Sequence, residues 1–423
     1  MQTLKLGIAG LGTVAQGVLE IVAKNGEMIS QRTGVKLEVQ RVASRSKKDV
    51  DLLGAQFSQQ LQDLVTDPEV DIVLELIGGE SHAYELIVGA LNAGKPVVTA
   101  NKAVIANHGN ELCGSNGYSQ SLKFEAAVAG AIPIISALKS GLVVNQFDSV
   151  LGIINGTCNY ILTQMLSAGT SFSDALTDAQ ALGYAEADPT FDIEGIDAAH
   201  KLTILLALAF DCGYDFDQLY VQGISHVSAA DIKYAQELGY KIKHLGIARR
   251  NPNGIEARVH PTLVPTDNLL ASVDGVLNAV LVNSDASGTT LFSGPGAGGL
   301  ATASAVLADV LACAQNIELK DSEPAAAQTV TAAPILPMQE VVCANYLRIP
   351  TLDEPGVFAK IAQLLSEHNI SIEAVIQKEP STEQASIVML TNAVSEAVID
   401  EAVAQVESLE QVIDTVVRIR VEN

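Results

Sequence analysis

Apolar and polar positions fall in short blocks along the first hundred residues, and the blocks predict buried strands separated by helices. Leu4–Ala9 is an apolar run that breaks at Gly10, and Val18–Ala23 behind it has helical composition. Val35–Ala43 is rich in β-branched residues. Asp71–Ile77 reads as a buried strand ending at Gly78 and Gly79, and a helix follows over Ser81–Asn92. Pro96–Thr99 is the next strand, and Asn101-Lys102 opens another helical stretch. Strand and helix in alternation predict a mostly parallel sheet, with ligands beyond the carboxyl ends of its strands.

The pattern then changes. Leu122–Glu125 leads into small residues up to Pro133, and strand Asp148–Ile154 ends in Asn155-Gly156-Thr157-Cys158-Asn159 before another helix. Leu202–Phe210 is apolar almost all round, as in a buried helix. Lys241–Ala248, Ile255–Leu263, Val276–Asn283 and Thr289–Ser293 predict an antiparallel sheet covered on one face by helices. A glycine-rich turn, 294–299, opens helix Ala303–Asn316, expected to pack back on the first domain. Leu319–Gln339, rich in Ala, Pro, Thr and Glu, reads as a linker. Beyond it come strand Val341–Ile349, helix Phe358–His368, strands Ile370–Gln377 and Gln384–Thr391, helix Ser395–Ser408 and strand Val412–Val421. That order is βαββαβ, a ferredoxin-like sheet with two helices. The fold class is therefore α/β, in three domains: 1–134 with a parallel sheet, 135–318 as an α+β domain with an antiparallel sheet, and 341–423 beyond a linker at 319–340.

Composition narrows the partners. The chain has 423 residues and a formal net charge of −24, which argues against nucleic acid and leaves any anionic ligand to local cations and backbone N–H groups. Five scattered cysteines form no CxxC pair, which fits a reducing, cytoplasmic setting and no disulfide framework or zinc site. The start, MQTLKLGIAG, lacks a basic region and cleavage signature, so no signal peptide is expected. The longest apolar stretch is too short to span a bilayer.

Chemistry gathers at a few places. Gly10-Leu-Gly12-Thr13-Val14-Ala15-Gln-Gly17, between strand and helix, has the context of the Rossmann dinucleotide fingerprint. Gly10 allows the tight turn and Gly12 a close approach by pyrophosphate at the helix N-terminus; Ala15 stands where a third glycine is usual. The strand ending at Ala43 is followed by Ser44-Arg45-Ser46-Lys47-Lys48, with no acid before Asp49 to hold a ribose 2′-hydroxyl. Arg45, assisted by Lys47 or Lys48, suits a 2′-phosphate, so NADP is expected over NAD. Thr99, Asn101 and Lys102 lie at another strand end. A lysine in the first turn of a helix is electrostatically awkward and points to an anionic neighbour.

Glu125 and the carbonyls of the small-residue loop after it suit a cation held by oxygen, with tight packing as the alternative. GYAEADPTFDIEGIDAAHK, 183–201, sets Glu186, Asp188, Asp192 and Asp197 in a Gly/Pro-bearing loop and ends in Lys201. Asp197 and Lys201 are four apart and share a helix face, which suits a small cationic group beside a proton donor; an ordinary helix salt bridge is the plainer reading. Cys158 has no histidine nearby, which weakens it as a nucleophile.

Together GLGTVAQG (10–17), TANK (99–102), Glu125–Pro133, NGTCNYIL (155–162) and the 183–201 segment resemble bacterial homoserine dehydrogenases. DEPGVFAKIAQLL followed by NISIEAVIQ resembles the ligand-binding segment of an ACT domain. The resemblance covers essentially the whole chain. It implies reversible NAD(P)H-dependent reduction of L-aspartate 4-semialdehyde to L-homoserine, on the route to threonine and methionine. Carried over position by position, it gives Glu186 and Asp197 the substrate amino group, with Asp192 supporting the same acidic loop. Lys201 becomes the proton donor and acceptor, and Lys102 contacts substrate or cofactor and shares the acid–base assignment. Thr13, Val14, Arg45, Thr99, Lys102, Gly183 and Gly298 line the cofactor, and Glu125 with the carbonyls of Val128, Gly130 and Ile132 holds sodium. It also implies a threonine effector at the ACT domain and a homodimer, formed through the second domain, or a homotetramer. Two other readings stay open on the residues alone: an aspartate-semialdehyde dehydrogenase, which needs a cysteine nucleophile, and a non-catalytic amino-acid sensor.

Overall fold

The computed structural model describes residues 2–113, 121–318, 333–377 and 384–422, with the side chains of 315–318 and 384 left aside. Most of the predicted linker, residues 319–332, lies outside the described residues. The chain divides into two compact units, Met1–Ile154 with Ala199–Asp217 and Leu277–Ala333, and Asn155–Ala198 with Gln218–Val276 and Pro334–Asn423. Among the described residues no helix is long and apolar enough to cross a membrane.

In the first unit six parallel strands line up as Gln56–Ser58, Val35–Ala43, Gln2–Ala9, Ile72–Glu75, Val97–Thr99 and Leu122–Lys123. Leu4, Leu6 and Ile8 point to one face and are buried there. Helix Thr13–Thr33 covers that face, and Gly34, at φ 73°, ends it in the left-handed region where glycine carries no Cβ penalty. Helix Gly299–Glu318 packs on it, and Val306 and Val310 share a core with Leu6, Ile8 and Val18. The two helices touch at glycines: a Cβ at Gly17 would lie 2.5 Å from the Gly299 carbonyl oxygen. Phe147–Ile153, Leu277–Ser284 and Gly288–Pro295 form an antiparallel trio, with Leu281 opposite both Leu151 and Leu291. Helix Ile196–Phe210, which begins in the other unit, brings Leu202, Ile204, Leu205 and Leu206 here, all fully buried.

Two acids are buried in this unit without a cation bonded to them among the described residues. Glu75 ends a central strand; Thr99 Oγ1 donates to its carboxylate at 2.5 Å and the Ile77 N–H at 2.9 Å. Burial outweighs these donors and pushes its carboxyl up to about 7. Asp309, on helix Gly299–Glu318, accepts the Glu125 N–H at 2.7 Å and is likewise pushed by burial to about 7.

The second unit is built on a hairpin of two twelve-residue strands, Tyr240–Asn251 and Gly254–Pro265. The C-terminal strands stand in the order Val417–Val421, Val342–Leu352, Gln384–Thr391, Ile372–Gln377, the 4-1-3-2 arrangement of a ferredoxin-like sheet. Helices Val357–Glu367 and Glu396–Glu407 cover one face, burying Ile361, Leu365, Ile399 and Val406 against Leu347, Ile349, Ile387 and Met389. The other face buries Ala344, Tyr346, Val388 and Ile419 with Met165, Ile232 and Leu263. Burial on both faces explains the unbroken apolar run from Ile387 to Leu390. Val417–Val421 also pairs in parallel with Gly254–Pro265, so this sheet continues the hairpin. Residues 334–336 join it too: the Ile255 N–H donates to the Pro334 carbonyl at 2.8 Å, and the Leu336 N–H to the Ile255 carbonyl at 2.9 Å.

Ion pairs lock these parts together. Asp231, fully buried, accepts from Arg348 Nε at 2.6 Å and from the Tyr346 hydroxyl at 3.0 Å. Burial pushes its carboxyl up, but the Arg348 guanidinium and Ser228 hydroxyl outweigh burial and hold it below the ordinary carboxylate value. Arg420, 1% exposed, donates to Glu396 at 2.6 and 2.9 Å, to Gln222 Oε1 at 2.9 Å and to the Tyr220 hydroxyl at 3.2 Å.

These two kinds of buried acid respond oppositely to pH. Glu75 and Asp309 bind their protons more tightly folded than unfolded, so the stability they supply is full below pH about 4 and is lost as pH rises toward about 7. Glu75→Gln mimics the protonated form. Its melting temperature, relative to the parent, should rise between pH 5 and 7 by the equivalent of about 3 kcal/mol and then level off; a difference independent of pH would contradict this. Asp231→Ala leaves Arg348 buried without its partner and should cost about 3–5 kcal/mol in denaturant unfolding at neutral pH. The stability that Asp231 itself supplies is full above its unfolded pKa near 4 and is lost as pH falls further, so the cost should shrink in acid.

Candidate active site

The cofactor-binding candidates of the first unit sit where strand and helix meet. Gly10 has φ 95°, and a Cβ there would lie 2.5 Å from the Leu76 carbonyl oxygen, so only glycine turns the chain here. Gly12 is the N-cap of helix Thr13–Thr33 and makes no side-chain cap, and there is no acid in the first turn. A Cβ at Gly12 would meet nothing within 4 Å. The first N–H groups of a 21-residue helix thus face an open cleft, the arrangement that receives phosphate. The cleft, about 700 Å³, is lined by Gly10, Gly12, Arg45, Lys48, Ile77 and His82 among others. Arg45 is exposed at its rim, and its main-chain carbonyl accepts the Gln59 amide at 3.1 Å. The residues present therefore suit a phosphorylated dinucleotide. Ala15 is buried in the core without displacing the helix, and the tight glycine approach falls at Gly17 instead. Thr13 touches the turn before the last long helix: a Cβ at Gly299 would lie 3.0 Å from Thr13 Cγ2. Val14 packs partly buried against the core, and Gly298, at φ 118°, accepts the Thr302 N–H at 2.9 Å.

Thr99 is fully buried and bonded to Glu75, and it accepts the Asn101 N–H at 2.9 Å. Asn101 in turn donates to the Gly79 carbonyl at 2.7 Å, while its Oδ1 accepts the Val104 N–H at 3.3 Å, a cap on helix Lys102–Cys113. Lys102, half-buried, is the first residue of that helix. Glu75 and Asn101 thus fix the turn that presents Lys102.

At the expected cation loop a short strand stops at Lys123, and Glu125–Ala127 is a 3₁₀ turn. Both carboxylate oxygens of Glu125 are engaged, Oε1 by the Ile135 N–H at 2.7 Å and Oε2 by the Ser136 N–H at 2.7 Å and the Ser136 hydroxyl. The Ile132 carbonyl accepts the Ile134 N–H at 2.8 Å. Ala129 and Gly130, both at φ 56°, make a left-handed kink between Val128 and Ile132. A Cβ at Gly130 would lie 2.6 Å from the Gly296 carbonyl. The donor set on offer is main-chain oxygen, while the carboxylate braces the next turn. Among the described residues no group of three or more His, Cys, Asp or Glu side chains suits a metal ion.

In the second unit the acidic loop is clamped from several sides. Asn155, 4% exposed, caps helix Gly156–Ala168 by accepting the Cys158 N–H at 2.8 Å. Its Nδ2 donates to Asp192 Oδ1 and to Asp197 Oδ2, both at 2.8 Å. Thr157 Oγ1 donates to the Tyr184 carbonyl at 2.7 Å, and the buried Cys158 thiol to the Asp192 carbonyl at 3.2 Å. From the other side the Ile224 N–H donates to the Ile193 carbonyl at 2.8 Å. Gly195, at φ 85°, turns the chain against the His244 ring, whose pKa burial pushes down to about 4. Asp197 is buried in the first turn of helix Ile196–Phe210. Glu186 is exposed; its carbonyl accepts the Gln180 amide at 3.0 Å, and its carboxylate lies outside the Asn155 set among the described residues. Gly183, at φ 75°, closes the preceding helix. In the first unit, one turn beyond Asp197 on the same helix, Lys201 Nζ donates to the Ile154 carbonyl at 2.7 Å.

Asn155, Glu75 and the Ile154 carbonyl escaped the sequence reading. An Asn directly before a helix is a capping signal, and an acid inside DIVLELI signals a buried carboxyl; a main-chain acceptor leaves no mark in sequence.

A family model described as homoserine dehydrogenase matches residues 133–311, one described as its NAD binding domain matches residues 10–119, and an ACT domain model matches residues 346–411. Homoserine dehydrogenase of Pseudomonas aeruginosa is 48% identical over 431 residues, covering 100% of this chain and 99% of that protein. That of Neisseria gonorrhoeae is 46% identical over 435 residues, with 100% and 99% covered. The crystal structure of a homoserine dehydrogenase from Thiobacillus denitrificans superposes with a TM-score of 0.93 at 47% identity, covering 100% of this chain and 99% of that one. The chain therefore belongs to the homoserine dehydrogenase family, with an NAD-binding domain and a C-terminal ACT domain.

Proposed function

We propose that the chain reversibly reduces L-aspartate 4-semialdehyde to L-homoserine with NADPH, using Lys201 as the proton donor. As a homoserine dehydrogenase it is an NAD(P)-dependent oxidoreductase. The observation that carries the residue assignment is the Lys201 ammonium, aimed by the Ile154 carbonyl at 2.7 Å, one helical turn beyond a buried carboxylate. When bound, the nicotinamide supplies the hydride taken up by the aldehyde carbon. Lys201 stabilises the negative charge that grows on the carbonyl oxygen and then gives that oxygen its proton; in the reverse direction it takes the proton back. The Ile154 carbonyl restrains the ammonium. Asp192 and Asp197, joined by Glu186, pair with the substrate ammonium. Lys102 holds an anionic group of substrate or cofactor.

The main-chain N–H groups at Gly12, Thr13 and Val14 receive the pyrophosphate, with Gly10 permitting the turn. Thr99, Gly183 and Gly298 line the rest of the dinucleotide. Arg45 at the cleft rim supports NADP over NAD, with NAD remaining a substrate. Glu125, with the carbonyls of Val128, Gly130 and Ile132, is the sodium site of this reading. The ACT domain takes an amino-acid effector, threonine by pathway logic, at the turn from Asp353 to Phe358. A hollow of about 450 Å³ there is lined by Thr351, Asp353, Glu354, Gly356 and Gln377 among others. A homodimer or homotetramer in the cytoplasm fits this reading, and none of the five cysteines forms a disulfide.

Lys201→Ala should lower kcat for homoserine oxidation by roughly 10²–10⁴-fold while NADPH titration by fluorescence stays near the parent; turnover close to normal would remove the role. Arg45→Ala should raise KM for NADPH far more than for NADH, measured at 340 nm in paired assays. Equal rises for the two cofactors would count against the 2′-phosphate assignment.

A further inference from the structure

We propose that Glu75 is a positioning residue for the cofactor: its carboxyl clasps two strand-end turns and so fixes the wall of the dinucleotide cleft. This rests on the reading of that cleft, beyond Gly10 and Gly12, as the dinucleotide site. Glu75 closes strand Ile72–Glu75, in register with Ala9 on one side and Thr99 on the other. Three neighbouring strands thus end at one level, and ligands of such sheets lie just beyond it. One carboxyl oxygen accepts the Ile77 N–H at 2.9 Å and the other the Thr99 hydroxyl at 2.5 Å. The turn after Glu75 reaches the cleft directly, where Leu76, Ile77 and Gly78 line it. It also backs onto the glycine turn: a Cβ at Gly10 would lie 3.1 Å from Ile77 Cγ2. A second tie runs alongside, since Asn101 Nδ2 donates to the Gly79 carbonyl at 2.7 Å.

Packing alone would not select an acid here. Ile72, Val73 and Leu74 before it are fully buried, and Glu75 itself is 0% exposed. An apolar side chain would avoid the desolvation that pushes the Glu75 carboxyl up to about 7. A buried polar group that costs stability next to a cleft points to a task in that cleft. Its partners show which. Strand Ile72–Glu75 has ended by Ile77, so the Ile77 N–H falls to a side-chain acceptor, and Glu75 supplies it. The same carboxyl reaches the neighbouring strand through Thr99. That hydroxyl oxygen accepts the Asn101 N–H at 2.9 Å, at the start of the helix that presents Lys102. Displacing the carboxyl would therefore release the cleft wall and the Lys102 turn together. Glu75 has no exposed surface with which to touch a ligand, so it acts through Ile77 and Thr99.

Substitution separates the clasp from mere filling of space. Glu75→Gln keeps the length, an acceptor for the Ile77 N–H and a donor for the Thr99 oxygen, so its KM for NADPH should stay within about twofold of the parent. Glu75→Asp is one methylene shorter and cannot hold both partners. Its KM for NADPH, and the dissociation constant from fluorescence titration, should rise about tenfold, with kcat at saturating cofactor changing far less. The rise should be equal for NADH, because Arg45 takes no part in the clasp. A merely structural loss would instead reduce the folded fraction, lowering kcat per mole of enzyme and leaving KM in place. Should Glu75→Asp fail to fold, Glu75→Met fills the same space without the hydrogen bonds and should give the same rise. The proposal is wrong if the folded variant, Asp or Met, keeps the parent's KM for NADPH, or if the rise is confined to NADPH. Gly12→Ala tests the reading beneath it. Gly12 has φ −76°, and a Cβ there meets nothing within 4 Å, so alanine keeps the fold and obstructs only the approach of pyrophosphate. If Gly12→Ala raises KM for NADPH and Glu75→Asp does not, only the role of Glu75 falls; if Gly12→Ala leaves KM unchanged, the reading of the cleft falls with it.

Discussion

Two successive residues, Ile154 and Asn155, take up the two opposite charges at the mouth of one buried helix. Helix Ile196–Phe210 is apolar almost all round and fully buried over Leu202–Leu206. Such a helix tolerates charge only where hydrogen-bonding groups meet it, because an isolated ion in an apolar surround is very costly. Lys201 needs an acceptor and has the Ile154 carbonyl; Asp197 needs a donor and has the Asn155 amide. A carbonyl and an amide N–H are dipoles without net charge. They solvate the ammonium and the carboxylates in place of water.

The chain answers the same cost differently where no ligand has to enter. Asp231 meets Arg348, and Glu396 meets Arg420; these are charge pairs that close on themselves. They tie the C-terminal sheet to the helix at 229–237 and to Tyr220 and Gln222. Glu75 and Asp309 take a third route, holding their protons because burial outweighs the donors around them. Three chemistries for buried acids therefore coexist in one chain: neutral dipoles at the candidate site, guanidinium pairs at the junction with the ACT sheet, and burial that favours the protonated form at Glu75 and Asp309.

What the amino-acid pattern revealed was what periodicity and glycine encode. The parallel strands, the turn at Gly10 and the ferredoxin-like order of the last domain are all local signals, and Gly10 is unambiguous because its φ of 95° admits little else. The pattern said nothing of Asn155 beyond its place at a strand end, since its two acids lie 37 and 42 residues away. Glu125 shows a similar limit: nothing in the pattern marks that its carboxylate accepts the N–H groups of Ile135 and Ser136, a use of Glu that depends on a turn ten residues downstream. The end of the predicted linker was likewise opaque, because the bonds of Pro334 and Leu336 are main-chain ones to Ile255 and need no particular side chain.

The C-terminal sheet and the acidic loop are joined by few steps. Strand Val417–Val421 lies between Val342–Leu352 and the hairpin strand Gly254–Pro265, so the ACT sheet cannot shift without straining that hairpin. Arg420 on that strand bonds to the Gln222 side chain, and the Gln222 carbonyl faces His244 at 3.1 Å. Two residues on, Ile224 holds Ile193 in the acidic loop, next to Asp192. At Gly223 a Cβ would lie 2.4 Å from the Ile193 carbonyl oxygen, so the segment at 222–224 packs tightly against the loop. Packed interiors transmit displacement because they deform little. An effector that favours one position of the ACT sheet would thus act on the spacing of Asp192 and Asp197 directly, provided the sheet has a second position to favour.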